Sequence, residues 1–293
     1  MKKSPIARTL GAGIAALALA GSLTACGGDD ANDKEITIGY IGWDEAVAAT
    51  NLWKLVLEEQ GYEVKTTELE AGLIFEGMAN GDVDLFLDGW LPTTHESYMA
   101  EYGDKIEQVG VWYDNAALSI AVPSYVEVDS LDELADNADL FDGEIIGIED
   151  SAGLTKATQE SVIPTYGLDG KMELVTSSTA TMLTELDAAI ANNEPIVVTL
   201  WHPHWAYANY DLKDLADPEA TLGTAEEITT LARKGFAKDF PDVNAMLAKF
   251  KMDDQQLGSL EDYIFNQNKD DHEAGAQAWL DENPDFLDSI AAK

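Results

Sequence analysis

Short apolar runs alternate with helix-period segments twice over in this chain, and that alternation leaves few folds open. Residues 36–42, Ile-Thr-Ile-Gly-Tyr-Ile-Gly, read as a buried strand. A helix over 45–60 follows, with Val47, Leu52, Leu55 and Val56 on one side and Gly61 beyond its end. Segments 62–69, 72–80 and 83–90 continue as strand, helix and strand. After a strand over 117–122, stopped by Pro123, the pattern recurs: helical 131–137, strand 144–148, helix 154–166, strand 172–176, helix 179–191 and strand 195–201. Two α/β lobes accommodate this more economically than one very large sheet. From Ala225 onward the spacing of Ile228, Leu231 and Ala232, and then segments 243–250, 257–266 and 273–283, predict helices and no strand. The expected division is therefore 35–116 plus 225–293 for one lobe and 117–224 for the other.

Residues 1–25 stand outside this pattern. Lys2, Lys3 and Arg8 precede an apolar stretch over 10–19 that is too short to span a bilayer and has the layout of an export signal. Leu23-Thr-Ala-Cys26 is similar to the processing site of bacterial lipoproteins, which implies cleavage before Cys26 and a diacylglyceryl group on its sulfur. An ordinary cleaved signal that leaves a free thiol is the alternative. Cys26 is the sole cysteine, so no intramolecular disulfide can form. Residues 26–34 are a small, polar linker. The net charge is −38, and loss of residues 1–25 would remove three basic and no acidic groups, leaving −41. Such a balance argues against nucleic acid as a partner. With 46% hydrophobic residues the chain is not a disordered acidic tail, and its scattered carboxylates read as a solvated surface.

Seven tryptophans are present. Trp43, Trp90 and Trp205 lie at strand ends or just beyond them, and Trp201 precedes the last by one helical turn. Indole faces are the strongest aromatic partners for an organic cation, and a quaternary ammonium suits them best. Trp53 and Trp279 fall inside amphipathic helices and read as core. Asp84-Leu-Phe-Leu-Asp-Gly-Trp-Leu-Pro-Thr-Thr-His95 ends a strand in an aromatic and a histidine, so Trp90 is expected to face a ligand cation and His95 its anionic end. Ser151-Ala-Gly-Leu-Thr155 opens a helix after a strand, where free backbone N–H groups and the helix dipole favour a carboxylate. Asp44 reads as the N-cap of the first helix. His202 and His204 lack further ligands at metal-binding spacing, and no phosphate loop or Gly-x-Ser-x-Gly elbow occurs. No cofactor is expected.

These motifs resemble the OpuAC-type substrate-binding lipoproteins, the glycine betaine-binding components of ABC importers for compatible solutes. The resemblance rests on Gly42-Trp-Asp-Glu-Ala-Val-Ala-Ala-Thr-Asn-Leu-Trp53, the segment ending at His95, Gly147-Ile-Glu-Asp-Ser-Ala-Gly-Leu154, Thr176-Ser-Ser-Thr179 and Ile196-Val-Val-Thr-Leu-Trp-His-Pro-His-Trp-Ala-Tyr207. It covers nearly all of residues 35–250. It implies an α/β, two-lobed, periplasmic-binding-protein-like (type II) fold with a hinged ligand cleft, and a monomer that is not an enzyme. It further implies a cage of Trp43, Trp90 and Trp205, with Trp201 as the alternative third wall. The ligand carboxylate would be held by His95 and the N–H groups of Gly153 and Leu154.

The implied partners are glycine betaine or a related betaine, a permease with its ATPase, and the membrane through a lipid anchor on the extracytoplasmic face. Choline-binding relatives add a tyrosine and an aspartate near the ligand hydroxyl. Here no tyrosine falls over 115–122, although Tyr113 is near and Asp44 follows the first tryptophan. His95 suits a carboxylate better than a hydroxyl, which disfavours choline. A choline- or carnitine-binding protein stays as the first alternative. An exported hydrolase of choline esters is a further one, as is a metal-binding lipoprotein.

Overall fold

Two halves of a curled sheet share one long strand, and the register along that strand organises the molecule. The computed structural model describes residues 34–291. Strands β1 (Glu35–Tyr40), β2 (Glu63–Glu68) and β3 (Leu85–Leu91) run parallel, connected by helices α1 (Asp44–Glu59) and α2 (Ala71–Asn80). Helix α3 (Glu96–Tyr102) leads into the 18-residue β4 (Ile106–Pro123). Next come β5 (Glu144–Ile146) and a continuous helical rod of α4 (Gly153–Ala157), a π-helical turn Thr158–Val162 and α5 (Ile163–Thr165). Strand β6 (Glu173–Val175), helix α6 (Thr179–Asn192) and strand β7 (Val198–His202) follow. Helix α7 (Ala206–Asn209), β8 (Leu212–Asp214) and β9 (Glu226–Arg233) bring the chain back. The C-terminal part is helical: α8 (Phe236–Asp239), α9 (Pro241–Leu247), α10 (Asp254–Glu261), α11 (His272–Glu282) and α12 (Asp285–Ile290).

The strand order is β2-β1-β3-β9-β4-β7-β5-β6. Along β4, residues Ile106 to Ala116 pair with β9, and residues Ala117 to Ala121 pair with β7. The sheet thus changes partner between Ala116 and Ala117. Strands β5, β6 and β7 are mutually parallel, as β1, β2 and β3 are. Their carboxyl ends carry the tryptophan-bearing segments, and crevices at such ends are where α/β sheets bind ligands.

Two expectations are corrected. Residues 226–233 are a strand and not a helix: β9 lies between β3 and β4, and six of its eight residues are buried. A strand covered on both faces loses its period-two alternation, so the spacing of Ile228 and Leu231 imitates a helix. Strand β4 also begins eleven residues before the expected 117, because register shifts interrupt its pairing with β9 and erase the pattern. A third correction is local. Trp43 occupies the N-cap of α1, and Asp44 is the first helical residue without a capping bond. Trp53 and Trp279 are buried in the core, edge-on to Phe250 and Phe286 respectively. Among the described residues no helix is long and apolar enough to cross a membrane. Residues 1–33, and with them the export signal and Cys26, lie outside the described residues.

Candidate ligand-binding site

Trp43, Trp90 and Trp201 converge on one cavity, with Gly153 and Leu154 on its rim. Trp43 follows β1 directly, Trp90 stands at the end of β3, and Trp201 near the end of β7, so three strand ends deliver the three rings. Leu118 of β4 is the cross-strand partner of Trp201 and lines the same cavity. All three indoles are buried to within 5% exposure, which keeps their faces out of water, where a ring attracts a cation most strongly.

Each indole N–H is tied to a carboxylate. Trp43 Nε1 donates to Glu149 Oε2 (3.2 Å), Trp90 Nε1 to Asp88 Oδ1 (3.0 Å) and Trp201 Nε1 to Glu45 Oε2 (2.8 Å). Asp88 reaches Trp90 because residues two apart on a strand share a face. Glu149 also accepts from the Thr179 amide and hydroxyl at the start of α6 (2.9 and 3.0 Å). Rings so anchored have a defined orientation. Histidines back two of them: His95 stacks on Trp43 (centroids 5.8 Å apart, planes 10° off parallel), and His204 packs edge-on against Trp201 (4.7 Å).

The structure brings together Trp43, Trp90, Gly153 and Leu154, as expected from the sequence, and the third ring at the cavity is Trp201. Trp205 does not line it. It sits past the end of β7, half-buried, facing Tyr210 and Phe265, and its Nε1 donates to Asp44 Oδ2 (2.8 Å). Asp44 is likewise turned from the cavity, and His204 Nε2 lies 2.9 Å from the same Oδ2 without hydrogen-bond directionality. His202 instead faces Asp214 (2.8 Å) and stacks on Tyr207, so the two histidines do not converge on a metal. Ser119 shares a hydrogen bond with the Tyr207 hydroxyl and not with a histidine base.

His95 is fully buried behind Trp43, and its ring contacts Phe75, Phe86 and Tyr98 as well. Its Nδ1 accepts from the Trp90 amide (2.9 Å). Burial holds the imidazole down at about 3, so it is neutral at physiological pH. A neutral ring that accepts at Nδ1 carries its proton at Nε2. That Nε2 has no hydrogen-bond partner, so His95 offers a buried, unused donor. The loop bearing it is held by Glu226, whose carboxylate accepts from the amides of Thr93 and Thr94 and from the Thr94 hydroxyl. On the facing side, a Cβ on Gly153 would lie 2.5 Å from both Thr94 Cγ2 and Thr94 O, so only glycine permits this approach. The N–H groups of Gly153 and Leu154, first in their helix, have no intrahelical acceptor.

Sequence reasoning missed Glu45. It is 1% exposed and forms part of the cavity wall. Acidic residues in the first turn of a helix normally serve the dipole at the surface, and nothing in the local pattern marks this one as inward-facing. Burial and the neighbouring Asp44 push its carboxyl up to about 8. Asp88 is also raised, by burial and by Glu45.

The sequence matches, over residues 34–282, the family described as the substrate-binding domain of ABC-type glycine betaine transport systems. The chain belongs to this family. Over 141 residues it is 38% identical to the glycine betaine/carnitine transport binding protein GbuC of Listeria monocytogenes, a match covering 48% of this chain and 46% of that one. The aligned part thus spans about half the length of that relative.

Among solved structures, the Borrelia burgdorferi glycine betaine/L-proline-binding protein ProX superposes with a TM-score of 0.83 at 32% identity, covering 89% of this chain and 97% of that one. Lactococcal OpuAC, closed around glycine betaine, gives 0.81 at 33% identity, over 88% and 100%. A choline-binding protein in complex with choline gives 0.80 at 26% identity, over 90% and 94%. The fold is the two-lobed type II periplasmic-binding-protein fold with its hinged cleft, and the family is one of binding proteins for transport and not of enzymes.

Proposed function

We propose that this protein captures glycine betaine or a related betaine in a cage of Trp43, Trp90 and Trp201 and delivers it to the permease and ATPase of an ABC importer. The observation that carries this is the convergence of three buried, carboxylate-anchored indoles around one cavity with Gly153 and Leu154 on its rim. The rings suit a methylated ammonium, which cannot be satisfied by hydrogen bonds. The Gly153 and Leu154 amides and the His95 Nε2–H suit a carboxylate. A zwitterion engages both sets at once.

The change of partner along β4 between Ala116 and Ala117 supports a lobe of 35–116 plus 225–293 and another of 117–224, hinged where the chain crosses. Contacts that bridge them, such as Trp43 to Glu149 and Trp201 to Glu45, form on closure. The closed form is what the permease recognises. Export, lipidation at Cys26 and anchoring on the extracytoplasmic face complete the proposal, and their support is the sequence of residues 1–26.

Glu45 in the cavity wall favours a second occupant, the net cation choline, because a carboxylate there can face an ammonium with no acid of its own. Competition calorimetry with glycine betaine, proline betaine, carnitine and choline separates the two. Heat with the betaines is expected, and His95→Ala should weaken betaines much more than choline. Absence of heat with every one of these ligands would sink the proposal, and equal losses would remove His95 from the carboxylate subsite.

A further inference from the structure

Four buried carboxylates act on one another through space, and only one of them, Glu45, lines the cavity. Asp44 and Glu45 open α1, Asp88 lies on β3 and Glu261 ends α10. Asp88 and Glu261 are fully buried, with Asp88 Oδ2 and both Glu261 carboxylate oxygens lacking any hydrogen-bond partner. The groups that face Glu45 are the neighbouring Asp44, Asp88 from β3, and the Trp90 and Trp201 indoles. Glu261 from α10 acts on it as well, and His204 stands between Asp44 and the Trp201 ring. On the opposite wall Glu149 is engaged by Trp43 and Thr179. The interactions acting on Glu45 include donors and like charges, and no positive charge is among them.

A carboxyl group in such surroundings keeps its proton, because ionising it would place a second unbalanced charge among the others. An organic cation in the cage reverses that balance. It would stand against the wall that Glu45 helps to form, within a dry site where charges act strongly on one another. We infer that Glu45 contacts the bound cation and gives up its proton as the cation enters, so that ligand capture is coupled to release of about one proton to solvent. The bond broken is the carboxyl O–H, and the anion left behind balances the ammonium. This rests on the proposed capture of a quaternary ammonium compound. Asp88 is less suited to the role, since its one engaged oxygen holds Trp90 and it does not line the cavity.

The test is calorimetry of the intact protein with glycine betaine at pH 7 in phosphate and in Tris, whose ionisation heats differ widely, together with dissociation constants from pH 6 to 8. The expected result is an apparent enthalpy that differs between buffers by about one proton per ligand, and affinity that rises toward tenfold per pH unit. Glu45→Gln, which keeps an acceptor for Trp201, should abolish the buffer difference and flatten the pH profile while binding persists. Binding with the same heat in both buffers and a flat profile overturns the inference and leaves the proposed function standing. Proton release that survives in Glu45→Gln and vanishes in Asp88→Asn overturns it too. No binding at any pH removes the proposed function itself, and the inference with it. The buffer comparison uses the unaltered protein, so it decides the matter even if a variant fails to fold.

Discussion

Replacing Trp201 and Trp205 in turn by leucine separates the two tryptophans of one short segment by what their rings touch. Leucine keeps apolar bulk but removes the π face and the N–H. Trp201 lines the cavity at 3% exposure, so its loss removes one wall of a desolvated cage. A ring in such a site is worth about 2 kcal/mol to a cation, or roughly 30-fold in dissociation constant. The variant also deprives Glu45 of its indole donor, and because that contact forms on closure its loss adds to the weakening.

Trp205 does not line the cavity. Trp205→Leu should change affinity by less than about threefold, while releasing the buried Asp44 from its 2.8 Å bond and lowering stability by roughly 1–3 kcal/mol. Titration calorimetry with glycine betaine gives the first quantity and urea unfolding of the ligand-free protein the second. A Trp205→Leu variant that binds more weakly than Trp201→Leu would refute the assignment of the third ring.

Gly153→Ala should weaken the ligand through roughly 1–3 kcal/mol of overpacking against Thr94, with little change in melting of the free protein; unaltered affinity would refute a close approach of these segments on binding. Glu45, raised in the folded state to about 8 from an ordinary 4.5, contributes stability that is full below pH 4.5 and lost as pH climbs through 8. Glu45→Gln should therefore gain on the wild type by up to roughly 3 kcal/mol between pH 5 and pH 8 in urea melts of free protein, and a constant difference would count against a buried carboxyl there. His95 has the opposite sign: held down at about 3, it contributes stability that is full above pH 6.5 and declines as pH falls toward 3. The wild type should lose roughly 2 kcal/mol relative to His95→Gln between pH 7 and pH 5, which denaturant melts at the two pH values measure.

The α/β class, the two-part organisation and most of the elements are legible in the residue order, because helices with one apolar side and half-exposed strands write their periods into it. It also marked Trp43, Trp90, Gly153 and Leu154, which stand where strands end and helices begin, a position that local pattern can locate. What it could not supply was the direction of side chains that depend on distant partners. Strand β9 looked helical because six of its eight residues are buried, and the partners that make it a strand, β3 and β4, lie more than a hundred residues earlier in the chain. Trp201 and Trp205 differ by four residues, yet one lies in register with Leu118 and the other has left the sheet for Asp44. Glu45 became a wall of the cavity only when Trp201, 156 residues away, came to rest against it. Such choices are made by tertiary packing, since burial and hydrogen-bond partners are properties of the folded neighbourhood and not of the residue.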